Sequence, residues 1–214
     1  MTHFIFRNTT IEPLFKFKDI EFSGYDDISN INLDSEMFHW FYLLPYQQDK
    51  KIQVNQIEFF YQNIEIIYNQ IPDTKYFCIF TLFNPYMSTI ETGDFSVSNA
   101  INEFNQKIIK FSETRNNVKI INLSNFVHKN QNIEIIDWKY YFISKMIINP
   151  RLSKSFNSWF QLQLNAIMLK RKKCLVLDLD NTLWGGILGE DGIDGIKIGG
   201  DYPGNAFTEF QKSI

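Results

Sequence analysis

The sequence predicts an α/β protein. Residues 1–170 read as a complete three-layer domain with a parallel central sheet, and residues 171–214 as the beginning of a second α/β unit. Three observations carry this reading. Apolar runs of strand length alternate with amphipathic helical stretches, the pattern of βα units and a parallel sheet. Met37 to Leu44 and Cys174 to Leu177 are apolar with little alternation, as strands covered on both faces are. A polar cluster, Arg7 to Thr10, stands directly after the first strand candidate, where α/β sheets open their clefts.

The elements follow in order. His3 to Phe6 is a short apolar strand candidate, and Ile11-Glu12-Pro13-Leu14 reads as a turn into a short helix. Ile20 to Phe22 reads as a second strand, closed by the loop signal Ser23-Gly24-Tyr25-Asp26-Asp27. Met37 to Leu44 is a buried aromatic strand stopped at Pro45, and His39 inside it reads as a packed core residue. Asn55 to Gln70 is the clearest helix. Ile57, Phe60, Tyr61, Ile64, Ile67 and Ile71 recur at three- and four-residue steps, and Pro72 ends the pattern. Lys75 to Phe83 is the best candidate for a central strand and runs into the turn Asn84-Pro85.

Ser96 to Phe111 forms a second helix with Val97, Ala100, Ile101, Phe104, Ile108 and Phe111 on one face. Val118 to Leu123 is the next strand. An aromatic segment with two lysines follows, from Asp137 to Met146. Ser155 to Lys170 is a third helix whose stripe is Phe156, Trp159, Phe160, Leu164, Ile167 and Met168. The basic cluster at 170–173 reads as a solvated connection into the strand Cys174 to Leu177.

Composition narrows the function. The chain has 214 residues, 44% of them apolar and 21% charged, enough to bury a large core. A net charge of -3 gives no electrostatic reason to expect a nucleic-acid or membrane partner. No basic segment precedes an apolar core at the start, and no apolar stretch reaches transmembrane length, so a cytoplasmic location is the expectation. The two cysteines, Cys78 and Cys174, sit in apolar strand-like runs and read as buried thiols rather than a disulfide or metal site.

The chemistry concentrates after the strand Cys174 to Leu177. Asp178 and Asp180 stand one residue apart, which in extended chain puts both carboxylates on one side. Two like charges this close call for a cation, a shared proton, or both. A carboxylate can take a phosphoryl group covalently, and a second acid can protonate the leaving oxygen.

Asp178-Leu-Asp180-Asn-Thr182 resembles the first motif of the haloacid-dehalogenase (HAD) superfamily of aspartate-nucleophile phosphotransferases. The extension Leu183-Trp184-Gly185-Gly186-Ile187-Leu188-Gly189-Glu190-Asp191-Gly192 is similar to the FkbH-like branch. The resemblance implies Asp178 as nucleophile and Asp180 as general acid/base. It implies Mg²⁺ held by Asp178 and Asp180, the latter through its backbone carbonyl, and Thr182, Trp184, Gly185 and Gly186 as supporting or substrate-side residues. It further implies a phosphorylated three-carbon acid as substrate and an acyl carrier protein as acceptor of a glyceryl unit. A flap over the site would come from the hairpin-like stretch Ile187 to Ile193.

The order of the first 170 residues resembles the flavodoxin-like, SGNH-hydrolase-like domain that precedes the HAD domain in FkbH-like proteins. The places of Asn8, Thr9 and Asn84 at strand ends suggest a pocket there, and the resemblance matches Asp137 to Lys145 with a basic, aromatic patch of the family. Asn84 also reads simply as a turn former. An SGNH esterase needs a Ser after the first strand and a late Asp-x-x-His pair. Here the loop offers Asn8-Thr9-Thr10, and no His follows Asp137. A non-catalytic carrier-protein or partner-binding role therefore competes with the enzymatic reading, and an esterase stands well behind both.

A HAD site also takes a Ser or Thr, a Lys and further acidic ligands from a second strand and later elements, and the stretch from Gly186 to Ile214 leaves no chain to supply those elements. The 214-residue chain alone is accordingly expected to bind Mg²⁺ weakly or not at all and to transfer little or no phosphate.

Overall fold

The computed structural model describes residues 1–86, 93–168 and 174–214. The chain divides into two compact units, Met1–Leu169 and Lys170–Ile214. The basic cluster at 170–173 and the last residues of the third predicted helix lie outside the described residues.

The first unit is built on a five-stranded sheet. Its strands are β1 (His3–Arg7), β2 (Ile20–Tyr25), β3 (Met37–Phe41), β4 (Tyr76–Phe80) and β5 (Val118–Ile121). They lie in the order β2-β1-β3-β4-β5 and all pair in parallel. The order changes direction between β1 and β3, so the crevice beyond their C-terminal ends is the topological switch point. The parallel α/β class read from the sequence is the observed one.

Side-chain alternation sorts the core into two faces. Phe38, Trp40, Phe77 and Ile79 point to one face. There α1 (Lys50–Tyr68) and α2 (Ser96–Glu113) contribute Ile57, Phe60, Ile64, Phe104 and Ile108. Met37, Phe41, Cys78 and Phe80 point to the other, where α3 (Leu123–Lys129) and α5 (Ser153–Ile167) contribute Phe126, Phe156, Trp159 and Phe160. Every residue of β3 is buried because both its faces are covered. Phe15, just after the turn Glu12–Leu14, meets Phe41, Phe156 and Phe160 edge-on at 5.1–5.4 Å between centroids.

The boundaries depart from the sequence expectation for local reasons. α1 starts five residues before Asn55 because the Asp49 carboxylate accepts from the N–H groups of Lys51 and Ile52 and so caps a new first turn. The aromatic strand ends at Phe41 rather than Leu44. The Asn8 side-chain amide takes the place of a neighbouring strand, accepting from Leu43 N–H at 3.0 Å and donating to Leu43 C=O at 2.8 Å. Asn105 does the same to Leu82, at 2.9 Å for both bonds, so β4 ends at Phe80 rather than Phe83. β4 is an interior strand, but β3 holds the middle of the sheet. The aromatic segment after Asp137 is α4 (Trp138–Ser144), capped by Asp137 and stopped where Lys145 adopts φ +53°.

The second unit departs further. Residues 174–178 are not a strand, and Cys174, Leu175 and Val176 are exposed. A strand needs a neighbour's backbone groups, and among the described residues of this unit there are only isolated bridges, Asp180 to Trp184 and Gly185 to Lys197. Cys174 is thus an exposed thiol, contrary to the buried reading, whereas Cys78 is buried as expected. The expected hairpin at Ile187 to Ile193 is instead the helical segment α6 (Leu188–Gly195), interrupted at Gly192, where φ is +67°. It is followed by α7 (Gly204–Ser213). Among the described residues, no helix is long and apolar enough to cross a membrane.

Candidate functional site

The carboxylate pair lies in a loop that folds back on itself. The Asp178 carboxylate accepts from Leu179 N–H at 2.9 Å, and the residue is exposed. The N–H groups of Thr182 and Leu183 then both donate to Leu179 C=O, closing a tight turn. Asn181 sits at φ +53°, a conformation Asn tolerates better than most residues. Its side-chain oxygen accepts from Gly186 N–H at 2.9 Å.

This turn aims the second aspartate. One oxygen of Asp180, Oδ1, accepts from the Trp184 indole N–H and from Leu188 N–H, both at 3.1 Å. Asp180 is therefore oriented on both sides, by a side chain four residues on and by the backbone that opens α6. The remaining oxygen, Oδ2, carries none of these bonds.

The two glycines after Trp184 have packing reasons. A Cβ on Gly185 would come within 2.8 Å of the Phe207 ring of α7. At that place Gly185 exchanges backbone bonds of 3.0 and 2.7 Å with Lys197. Gly186 adopts φ +103° and lies over the Asp191 carboxylate. Asp191 in turn accepts from Ile187 N–H at 2.8 Å. The resemblance named Trp184, Gly185 and Gly186 but gave no role to Asn181 or Asp191. The tolerance of Asn for positive φ, and a carboxylate three residues after the start of a helix, were the signals available.

The N-terminal candidates are not brought together. Asn8 is buried with both amide groups committed to Leu43, so it is a strand clamp. Thr9 is buried, and its hydroxyl has no protein partner among the described residues. Asn84 lies beyond β4, which β3 separates from β1. Its side chain accepts from Tyr86 N–H at 3.0 Å, the plain turn role. Asn84 lines a crevice with Phe83, Asn102, Asn105, Ser124 and His128, and neither Asn8 nor Thr9 reaches it.

Two residues at the switch-point end were not singled out from the sequence. Burial raises the carboxyl of Asp26, at φ +56° just beyond β2, against the opposing pull of Lys145. Burial also raises the Tyr42 phenol, whose hydroxyl has no protein partner among the described residues. Above them, α4 carries an aromatic cluster. Trp138 and Tyr141 pack with Tyr46 and Tyr86, while Phe142 and Ile143 stay 74% and 72% exposed.

No protein-family model matches the chain, and no curated protein matches it. A solved structure does: the N-terminal part of the protein BF1531 from Bacteroides fragilis, containing a phosphatase domain and complexed with Mg. The TM-score is 0.72 at 21% identity, over 99% of this chain and 64% of that one. At that identity the likeness is one of fold, and the chain spans less than two thirds of its neighbour's length.

Proposed function

We propose that this chain carries the entry to a Mg²⁺-dependent phosphatase site, with Asp178 as nucleophile and Asp180 as general acid/base. The observation that carries the reading is the fixed Asp180 carboxyl, held by Trp184 and Leu188 two residues from the exposed Asp178 carboxylate. The fold likeness to a Mg-complexed, phosphatase-containing structure supports it.

In this reading an Asp178 oxygen attacks phosphorus and the ester P–O bond breaks. The leaving oxygen takes a proton from Asp180. Water then attacks the phosphorus of the acyl phosphate, Asp180 takes the water's proton, and the bond to Asp178 breaks to release phosphate. The donors are oxygens only, the type a hard cation prefers. Asp178 and Asp180 would hold Mg²⁺, which when bound neutralises the carboxylate pair and the phosphoryl oxygens. Among the described residues no group of three or more acidic, His or Cys side chains gathers to complete a metal site. These two residues are accordingly one part of the ligand set.

We extend the reading, on the motif resemblance at 183–192, to a phosphorylated three-carbon acid as substrate and an acyl carrier protein as acceptor, and we take a cytoplasmic location from the lack of any signal-peptide pattern in the sequence. The test is phosphate release from such acids by the natural polypeptide bearing this sequence. Release that needs Mg²⁺ and vanishes in Asp178→Asn is expected. Release that persists in Asp178→Asn overturns the assignment. A second reading, a partner-binding module, is favoured by the exposed apolar side of α4. It expects carrier-protein binding that Phe142→Ala and Ile143→Ala weaken, with no effect on phosphate release.

A further inference from the structure

We propose that His3 and His39 form an acid-sensitive latch that holds β1 in the sheet. In the register of β1 and β3, His3 lies opposite Met37 and Ile5 opposite His39. The two imidazoles are therefore diagonal neighbours on one sheet face. His3 Nδ1 and His39 Nε2 are 3.0 Å apart, and the ring centroids 5.2 Å. His39 is fully buried against Phe160, and His3 is buried at the rim against Phe17.

A bond between two imidazoles needs one N–H and one bare nitrogen. If both rings are charged, two N–H groups face each other and the bond becomes a repulsion. His39 Nδ1 has no protein partner among the described residues, so nothing packed there accepts from a second N–H. The groups around the pair do not reverse this. His3 feels the N-terminal amine of Met1, which opposes its charge, and the carboxylates of Glu36 and Asp19, which favour it. Cys78, opposite His39 on β4, is a thiol that burial pushes up to about 12 and so stays neutral. Lys119, next to Cys78 on β5, is a further cation. Burial holds both imidazoles below their ordinary range, His39 much further than His3.

The sign follows from that depression. The freed strand takes up protons near the ordinary pH of about 6.5, while the folded pair does not. The latch is fully closed above that pH and weakens as pH falls below it. Opening frees His3 while His39 stays on β3, so one proton is taken up, and moving from about pH 7.5 to about pH 5.5 raises the open fraction by up to roughly 10-fold. β1 pairs with both β2 and β3, so its release also detaches the edge strand β2.

The test is amide hydrogen exchange on the whole chain at these two pH values, corrected for the intrinsic rate. Protection of Phe4, Ile5 and Phe6 is expected to fall by up to roughly 10-fold in the native sequence and to stay nearly unchanged in His3→Gln, which leaves no titrating ring on the freed strand. Phe77 to Phe80 should keep their protection. A fall of equal size in His3→Gln, or one shared equally by Phe77 to Phe80, overturns the latch. NMR of the imidazole C–H groups gives a test that needs no variant. Rings that stay neutral at about pH 5.5 while β1 is closed support it, and rings that titrate near 6.5 with β1 intact overturn it.

Discussion

Replacing Asn8 separates an architectural residue from a ligand-binding one. Its amide makes two bonds, 3.0 and 2.8 Å, to the N–H and C=O of Leu43, and both residues are at least nine-tenths buried. Asn8→Ala leaves two buried backbone groups without partners, each costing about 1–3 kcal/mol. Water entering the small space left by the side chain offsets part of that, so a net loss of about 2–4 kcal/mol is expected. For a unit of this size that is a fall in Tm of about 4–16 °C. Urea unfolding followed by far-UV circular dichroism gives the free energy directly. Asn8→Asp is the control. Its carboxylate still accepts from Leu43 N–H but faces Leu43 C=O with an oxygen. That repulsion raises the folded-state pKa of the new carboxyl, so the variant's deficit is full at neutral pH and shrinks as pH falls through that raised value. A loss under about 0.5 kcal/mol in Asn8→Ala would refute the clamp and return Asn8 to the pool of ligand-binding candidates.

Three further outcomes are expected. Asp180→Asn keeps an oxygen acceptor for Trp184 and Leu188, whereas Asp180→Ala keeps none, so the Leu188 amide should exchange faster in the alanine variant by about tenfold or more. Equal exchange rates in the two variants would mean that Asp180 does not order the loop. A thiol reagent should label exposed Cys174 within the time that leaves Cys78 intact, because Cys78 is buried and its thiol is pushed up to about 12. Phe156→Ala, which removes a fully buried ring touching Phe15, Phe41 and Phe126, should cost about 3–5 kcal/mol in the same urea assay.

The sheet was legible because its strands are apolar and punctuated. Met37, Phe41 and Leu43 fall on one side and Phe38, Trp40 and Tyr42 on the other, and both sides are covered. The strand ends were not legible. They depend on Asn8 and Asn105, whose side chains replace backbone partners contributed from distant parts of the chain. Asp49 was a readable cap, but the apolar stripe that marks α1 begins later than its first turn. In the second unit the apolar run Cys174 to Leu177 has strand propensity but, among the described residues, no strand to pair with, so composition alone gave the wrong element. The glycines at 189 and 192 suggested a hairpin, yet the Asp191 carboxylate accepting from Ile187 N–H stabilises a helical turn. The carboxylate pair was visible from spacing and motif. The bonds from Trp184 and Leu188 that aim Asp180 depend on how the loop folds back.

The most direct measurement is the site of phosphorylation. The natural polypeptide bearing this sequence, incubated with Mg²⁺ and a phosphorylated three-carbon acid, is quenched in acid and its peptides are weighed. One phosphoryl group on the peptide containing Asp178, removed by hydroxylamine and absent in Asp178→Asn, is the expected result. Phosphate released without any adduct at Asp178, at a rate unchanged by Asp178→Asn, would contradict the account.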